Sequence, residues 1–422
     1  SFLGAASDPA FFTVRKNSFP VPLVTVSGEG AYRRSEEISI LAKVDYSSCD
    51  DAELTASFEW TQTEGPGVAT ASPGPLLFFA KETLAAGFKY VFSLYVELQD
   101  QSTLQAAKKT VSFTVERSEL AATIAGGSRR LSNSQPPVTL DASGSKDPDD
   151  PLDSASLLFV WSCFDSAGLP CRAQDNSKLV YPGQAKISVD LASFTPGEFT
   201  FQVAVSKQSR SASSSVTLSI RSEYVPETML SCPSCSDQSG TIFMNPNKRL
   251  IIEELKLNAS LASFVWSVND PAVQTLVDAL FPAPSTYLVI PPFSLPPGRE
   301  YVFSVETEVA PEGGQLCTGS CKGSASITIF VNRAPFGGSC DVNPKVGNEI
   351  FDEFLVTCQD WVDDLENSQL KYQFGYDGPN GDALFGMSTN SERALVLPPG
   401  KVNVSASIQD PMGGVTFVRN IA

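Results

Sequence analysis

One stretch of this sequence is written four times. Each copy is a turn that ends in glycine and is followed by alternating apolar residues. The copies are LAAGFKYVFSL at 84–94, FTPGEFTFQVA at 194–204, LPPGREYVFSV at 295–305 and LPPGKVNVSAS at 397–407. Glycine tolerates backbone angles that other residues avoid, and alternation at period two marks a strand with one buried face. The sequence therefore predicts the same turn-and-strand element four times.

The spacing of these copies predicts tandem domains. Their glycines lie 110, 101 and 102 residues apart, which is too long for a solenoid repeat and close to a common domain size. We expect an all-β chain of Ig-like or fibronectin-like β-sandwich modules, packed end to end in an extended rod. The predicted modules are 21–118, 119–223, 224–331 and 332–422, and residues 1–20 are expected to hold the closing strand of a preceding module and a linker. The chain is thus expected to be cut from a longer array.

Three tryptophans recur with the same period. Trp60, Trp161 and Trp266 lie 101 and 105 residues apart, each in an apolar alternating segment. A ligand-binding role is possible for large aromatic residues, but regular recurrence favours packing between the two sheets of each module. Residues 271–281 begin with proline and could form a short helix in a crossing loop.

Composition excludes several classes of function. The net charge is −17, from 30 basic and 47 acidic residues, which argues against nucleic acid or anionic lipid as a partner. The sequence has no histidine, so histidine acid–base catalysis, catalytic triads with histidine and histidine metal ligands are excluded. No P-loop, nucleophile elbow or dinucleotide fingerprint occurs. We therefore expect a protein that is not an enzyme and needs no cofactor.

The predicted fourth module carries a specific series of motifs. In order they are PFGGSC at 335–340, FLVTC at 354–358, WVDD at 361–364, LKYQF at 370–374 and LPPG at 397–400. This series resembles the receptor-for-egg-jelly (REJ) module of the large polycystins and of sperm receptors for egg jelly. The second module, with its acidic turn before Trp161, resembles the β-sandwich of polycystic-kidney-disease domains.

This resemblance implies an extracellular, non-enzymatic ectodomain segment of a longer membrane-anchored chain, on the cell or ciliary membrane. It implies adhesion or ligand sensing that is relayed to a polycystin-type cation channel or another ciliary membrane protein, with glycans or extracellular filament proteins as further partners. The alternative is a structural subunit of a ciliary or cell-surface filament built from the same modules.

Two pairs of cysteines are close in sequence. Cys163 and Cys171 flank an expected hairpin in the second module, and Cys340 and Cys358 join the start of the fourth module to its next strand. Both pairs are expected to form disulfides in an oxidising compartment.

The other cysteines leave alternatives open. Cys232, Cys235, Cys317 and Cys321 share the third module. They could form two disulfides between its first and last strands, which an extracellular setting favours, or a zinc site of four thiolates. Cys49 is either a buried free thiol or paired outside this segment.

Two acidic turns are weak calcium candidates. One contains Asp147, Asp149 and Asp150, and the other contains Asp363 and Asp364. Carboxylates suit Ca²⁺, but aspartates in turns more often accept hydrogen bonds from their own backbone.

Two sequons could carry N-linked glycans if the chain is secreted. They begin at Asn258 and Asn403. Asn403 follows the last copy of the repeated turn, on the strand face opposite its valine neighbours.

Overall fold

The computed structural model shows a chain built almost wholly of β-strands. It describes residues 23–26, 30–34, 37–45, 55–68, 73–99, 104–150, 152–153, 155–238, 240–255, 262–281, 283–310, 321–348, 352–364, 369–378 and 381–421. Within these residues lie strands arranged in facing sheets, one α-helix and one short 3₁₀ helix. The predicted all-β sandwich class is confirmed. No helix in the described part is long and apolar enough to cross a membrane.

The first sandwich has seven strands in its described residues. They are β1 (Leu23–Val26), β2 (Gly30–Arg33), β3 (Ile38–Asp45), β4 (Thr55–Glu64), β5 (Leu76–Phe79), β6 (Phe88–Gln99) and β7 (Leu104–Glu116). One sheet has the order β1-β3-β5 and the other has the order β2-β7-β6-β4. The repeated turn ends at Gly87, whose φ of 87° suits glycine, and β6 begins at the next residue.

The second sandwich is built in the same way. Its strands are β8 (Ser128–Ser132), β9 (Val138–Asp141), β10 (Leu158–Asp165), β11 (Lys186–Val189), β12 (Gly197–Lys207) and β13 (Arg210–Arg221), with a 3₁₀ helix at Leu191–Ser193. Strand β9 pairs with β11, and the facing sheet has the order β10-β12-β13-β8. Along β12, Phe199, Phe201, Val203 and Val205 are buried while the residues between them are not, as period-two alternation predicts.

The third sandwich also contains the helix. Its strands are β14 (Leu230–Ser231), β15 (Ser236–Gln238), β16 (Thr241–Met244), β17 (Leu250–Glu254), β18 (Ala262–Val268), β19 (Tyr287–Ile290), β20 (Arg299–Val309) and β21 (Cys321–Val331). Helix α1 (Pro271–Leu280) begins with proline, and the carboxylate of Asp270 accepts from the first free backbone N–H groups. The short helix predicted here is confirmed.

The fourth sandwich has seven strands among its described residues. They are β22 (Ser339–Asn343), β23 (Phe354–Gln359), β24 (Lys371–Gly378), β25 (Gly381–Leu384), β26 (Glu392–Leu395), β27 (Asn403–Gln409) and β28 (Val415–Ile421). The sheets have the orders β22-β23-β26 and β25-β24-β27-β28.

Each sandwich has its own hydrophobic core. The four clusters of buried apolar residues draw their members from 24–115, 120–220, 230–331 and 342–421. Each cluster lies within one predicted module range. The exact module boundaries remain a prediction, and the closing strand predicted within 1–20 lies outside the described residues.

The second and third sandwiches share a continuous sheet. Strand β8 of the second pairs with β21 of the third, with Arg129 opposite Ala325 and Ser128 opposite Ser326. Two sandwiches that share a sheet in this way cannot turn freely about their linker.

The arrangement of the sandwiches departs from the predicted extended rod. In the first and fourth sandwiches, Lys43 Nζ donates to Tyr376 Oη at 3.3 Å and Arg393 Nη2 donates to the carbonyl oxygen of Val26 at 3.3 Å. A rod would hold these two sandwiches far apart. The rod was inferred from tandem order alone, and tandem order does not fix the angles at the junctions.

Candidate functional site

The three recurring tryptophans lie in the cores of their sandwiches. Trp60, Trp161 and Trp266 are between 5% and 7% exposed. Their indole Nε1 groups donate to the backbone carbonyls of Gly74, Gln184 and Ser285 at 3.0, 2.8 and 2.8 Å. Each indole therefore has its one polar group satisfied by the protein itself, as a packing role requires.

A second repeated feature was missed by the sequence analysis. Tyr90 and Tyr301 stand three residues after the glycine of the first and third turns, and both rings are at most 1% exposed. Tyr301 Oη donates to the Pro296 carbonyl at 2.9 Å, and Tyr90 Oη accepts from the Ala85 N–H at 2.8 Å. These are tyrosine corners, in which the hydroxyl group ties the strand to the turn before it. The pattern Leu-x-x-Gly-x-x-Tyr at 84–90 and 295–301 could have revealed them.

Among the described residues, disulfides occur in the second, third and fourth sandwiches. One joins Cys163 to Cys171, with Cα atoms 5.3 Å apart, and another joins Cys340 to Cys358 across the neighbouring strands β22 and β23. Disulfides indicate folding in an oxidising compartment.

The cysteines of the third sandwich are paired differently from the prediction. Cys232 is bonded to Cys235 within one turn, so the expected bridge from this segment to the last strand is wrong. Cys321 is disulfide-bonded as well. A site of four thiolates therefore does not form. Cys317 and Cys49 lie outside the described residues.

The acidic turn of the second sandwich is occupied by the protein's own cations. Asp147 Oδ2 lies 2.7 Å from Arg210 Nη2 and 3.3 Å from Lys207 Nζ. Arg210 Nη1 also reaches Asp149 at 3.2 Å, and Lys207 reaches Asp150 at 3.3 Å. Both cations come from the hairpin between β12 and β13. Because these carboxylates are neutralised internally, the turn is not an open calcium site.

This charged cluster also fixes the junction with the first sandwich. The Ser118 N–H donates to Asp149 Oδ2 at 2.9 Å, and Arg210 Nη1 donates to the Ser118 carbonyl at 2.8 Å. Arg34 of the first sandwich donates to the Asp149 carbonyl. The linker residue Ser118 is 4% exposed, so the junction is buried and held by charge-assisted hydrogen bonds.

The second acidic turn lies at the start of the fourth sandwich. Asp363 Oδ1 accepts from the Asp364 N–H at 2.8 Å, as an aspartate in a turn commonly does. Burial raises the pKa of Asp364, and the nearby Arg333 opposes that rise. Within the described residues, no group of three or more acidic or cysteine side chains is placed to hold a metal ion.

The motif residues of this sandwich converge on Trp361. A Cβ atom at Gly338 would overlap the Trp361 ring, so glycine is required there for steric reasons. Phe336 and Val362 exchange backbone hydrogen bonds at 2.9 and 3.0 Å. The PFGGSC segment and the tryptophan turn are therefore parts of one packed unit, which explains why these motifs occur together.

A buried amide network joins the third and fourth sandwiches. Asn332 is 1% exposed, and its Nδ2 donates to Asn245 Oδ1 and Asp410 Oδ2, each at 2.8 Å. Asn245 Nδ2 donates to the Met412 carbonyl at 2.8 Å, and the Gly414 N–H donates to Asp410 Oδ1 at 2.8 Å. Burial raises the pKa of Asp410, and Asn332 partly offsets that rise.

A cavity of about 500 Å³ lies between the second and third sandwiches. Its wall includes Gly127, Ser214, Cys232, Cys235 and Asp237. Burial raises the pKa of Asp237 to about 6, against hydrogen bonds from Thr123 and the Gly240 backbone. The wall of this cavity therefore includes a carboxyl group whose pKa is raised by burial.

One predicted glycan acceptor can be placed. Asn403 is exposed at the start of β27, with its Nδ2 3.4 Å from Asp377 Oδ2. Its side chain therefore faces solvent, as attachment of a glycan requires. Asn258 lies outside the described residues.

Comparison with known proteins gives a family match. The model of the REJ domain family matches residues 42–420. Polycystin-1 of Homo sapiens is 26% identical over 420 residues, which cover 92% of this chain and 9% of that protein. Polycystin-1-like protein 1 of Oryzias latipes is 23% identical over 266 residues, which cover 61% of this chain and 10% of that protein. The chain spans about a tenth of the length of these curated relatives.

Solved structures of multidomain proteins show distant likeness. The N-terminal four Ig domains of Dscam1 isoform 6.44 are 12% identical, with coverage of 96% of this chain and 99% of that one, and a TM-score of 0.23. Drosophila N-cadherin EC1-4 is 12% identical, with coverage of 88% and 92%, and a TM-score of 0.27. At these scores the likenesses add nothing to what the chain's own strands show.

Proposed function

The chain belongs to the REJ domain family, and we propose from this premise that it is a non-enzymatic extracellular segment of a polycystin-like surface receptor. The match over residues 42–420 is the observation that carries the proposal. The disulfides support it, since such bonds persist outside the cell and in the secretory pathway.

We further propose that the segment takes part in adhesion or ligand sensing and relays it to a membrane partner, with a polycystin-type cation channel at the cilium as the leading candidate. Buried contacts at the junctions support a relay. Ser118 and Asn332, which lead into the second and fourth sandwiches, are at most 4% exposed. The Ser118 N–H donates to Asp149, and the Asn332 amide donates to Asp410. A force or a bound ligand that moves one sandwich therefore moves its neighbours too.

The test uses the full-length native protein on intact ciliated cells. An antibody against the exposed turn at 166–170 should label unpermeabilised cells, because the proposal places the segment outside the cell. Proximity labelling from that antibody should recover a polycystin-type channel in the ciliary membrane. A matched antibody against a cytoplasmic part of the same protein should need permeabilisation.

Two outcomes would contradict the proposal. Labelling that requires permeabilisation would place the segment inside the cell. Recovery of a polymer of the protein itself, with no membrane protein, would favour a structural filament subunit instead.

A further inference from the structure

The Cys232–Cys235 disulfide closes a very short loop. Only Pro233 and Ser234 lie between the two cysteines, and their Cα atoms are 5.4 Å apart. A cross-link stabilises a fold mainly by restricting the unfolded chain, and this effect grows with loop length. Cys340–Cys358, with a sequence separation of 18, restricts far more chain. Of the three disulfides whose two cysteines are both described, this short loop therefore contributes least to the stability of the fold.

Two hydrogen bonds hold this turn in addition to the sulfur–sulfur bond. The Cys235 N–H donates to the Cys232 carbonyl at 3.2 Å, which closes the turn through the backbone. Ser234 Oγ accepts from the Ile251 N–H at 2.8 Å and so fixes the turn to β17. Opening the disulfide would leave both hydrogen bonds in place, and the two thiols would stay close enough to re-form it.

Both cysteines of this bond are partly exposed, unlike those of the other described disulfides. Cys232 and Cys235 are half-buried and both line the cavity between the second and third sandwiches. Cys163 and Cys171 are 6% and 4% exposed, and in the remaining bond Cys358 is 2% exposed while Cys340 is half-buried. Thiol–disulfide exchange needs an attacking thiolate to reach a sulfur atom, so access controls its rate.

A carboxyl group lines the same cavity. Asp237 is two residues after Cys235, and both residues belong to the cavity wall. Asp237 Oδ1 has no hydrogen-bond partner among the described residues. Ser234 Oγ lies 3.7 Å from Cys232 Sγ and can donate to a thiolate there.

From this arrangement we propose that Cys232–Cys235 is a reversible redox site, which a dithiol opens in the folded protein while the other described disulfides stay closed. A thiolate of the dithiol attacks Cys232 Sγ and forms a mixed disulfide, and Cys235 leaves as a thiolate that takes a proton from the Asp237 carboxyl. The second thiol of the dithiol gives its proton to the Asp237 carboxylate and attacks the mixed disulfide as a thiolate, and Cys232 leaves as a thiolate that takes a proton from solvent. Two electrons pass to the cysteine pair, and the dithiol leaves as its own disulfide.

The test is differential alkylation of the folded, disulfide-bonded chain in dilute dithiothreitol, followed by peptide mass spectrometry. We expect Cys232–Cys235 to open at least tenfold faster than Cys163–Cys171 and Cys340–Cys358, with an unchanged circular dichroism spectrum. Adding oxidised glutathione after the dithiol is removed should restore the bond. Similar rates for the three disulfides, or opening only with loss of the folded spectrum, would overturn the proposal.

A second measurement tests the role of Asp237. In wild type, the opening rate divided by the dithiol thiolate concentration should fall as pH rises through about 6, because Asp237 then loses the proton that it supplies. D237N should remove this fall. D278N, an exposed aspartate on α1 of the same sandwich, should retain it.

Other charged groups near Asp237 need separate controls. Lys146 interacts electrostatically with Asp237, and Glu300 lines the same cavity. E300Q should therefore retain the pH profile, with the fall near pH 6 unchanged. If the fall in opening rate near pH 6 persists in D237N, or is lost in E300Q, proton transfer from Asp237 is refuted.

Discussion

Asp147 carries a negative charge although its side chain is buried. Its side chain is 1% exposed, and burial alone would raise its pKa. Hydrogen bonds from Arg210 and the Asp149 N–H, together with the charge of Arg210, outweigh burial and hold the pKa of Asp147 below its ordinary value. A buried pair of this kind tolerates loss of one partner poorly, because the other charge is then left uncompensated.

Replacing Arg210 with Met should therefore weaken the second sandwich. We expect a loss of about 3 kcal/mol, at the low end for a broken buried ion pair because Lys207 still faces Asp147. Hydrogen exchange of the β12 and β13 amides measures this locally. R172M is the control, since Arg172 is an exposed arginine of the same sandwich, and it should change stability by less than about 0.5 kcal/mol. Equal effects of the two substitutions would contradict the account.

The ion pair of Asp147 with Arg210 should make the second sandwich less stable in acid. A carboxyl whose folded pKa is depressed stabilises the fold above its unfolded pKa and loses that contribution as pH falls through the folded value. The ordinary value for Asp147 is 3.8. Protection of β12 amides should thus decline as pH falls below about 4, and in D147N this particular decline should be absent. An identical acid profile in D147N would show that Asp147 does not cause the loss of stability in acid.

Asn403 gives a residue-scale test of the extracellular proposal. It is exposed, and it begins the sequon Asn-Val-Ser at the start of β27. When the chain passes through the secretory pathway, glycopeptide mass spectrometry should find a glycan at Asn403, and both N403Q and S405A should remove it. An unmodified Asn403 in the secreted chain would contradict the prediction.

At the scale of elements, the repeated turn and its strand form one structural unit. Leu84 and Leu295 are at most 4% exposed at the start of the turn, and Tyr90 and Tyr301 close it from the strand. The buried leucine and the tyrosine hydroxyl thus hold both ends of the same short segment.

Removing the Tyr301 hydroxyl should destabilise the third sandwich modestly. Y301F loses the hydrogen bond to the Pro296 carbonyl and leaves that oxygen unpaired, which should cost about 1 kcal/mol. Hydrogen exchange of β20 amides reports the change. Y287F in β19 is the control, because Tyr287 is 55% exposed, and it should leave β20 protection unchanged. Loss of β20 amide protection in Y287F but not in Y301F would contradict the assignment of Tyr301 as a tyrosine corner.

Local elements could be predicted from the sequence because their causes are local. Period-two alternation, turn glycines and the proline of α1 act within a few residues, so the strands after the four turns and the helix could be placed. The contacts of Asp147 could not, because Arg210 lies 63 residues further on and is brought near only by the fold. The disulfide partner of Cys232 could not be predicted for a similar reason, since sequence spacing alone does not decide among possible partners.

At the scale of the whole molecule, the junctions determine how the sandwiches are arranged. Charged groups hold the first junction, a shared sheet and a cavity form the second, and buried amides hold the third. Sequence period predicts that modules repeat, but it carries no information on the angle at each junction. The contact between the first and fourth sandwiches depends on all three angles and could not be predicted.

Small-angle X-ray scattering of the chain in solution tests this arrangement most directly. Four sandwiches with strands of about 11 residues, placed end to end, would extend roughly 150 Å. Since Lys43 reaches Tyr376 and Arg393 reaches Val26, we predict a maximum dimension well below that length. A maximum dimension near 150 Å would contradict the closed arrangement and restore the extended rod.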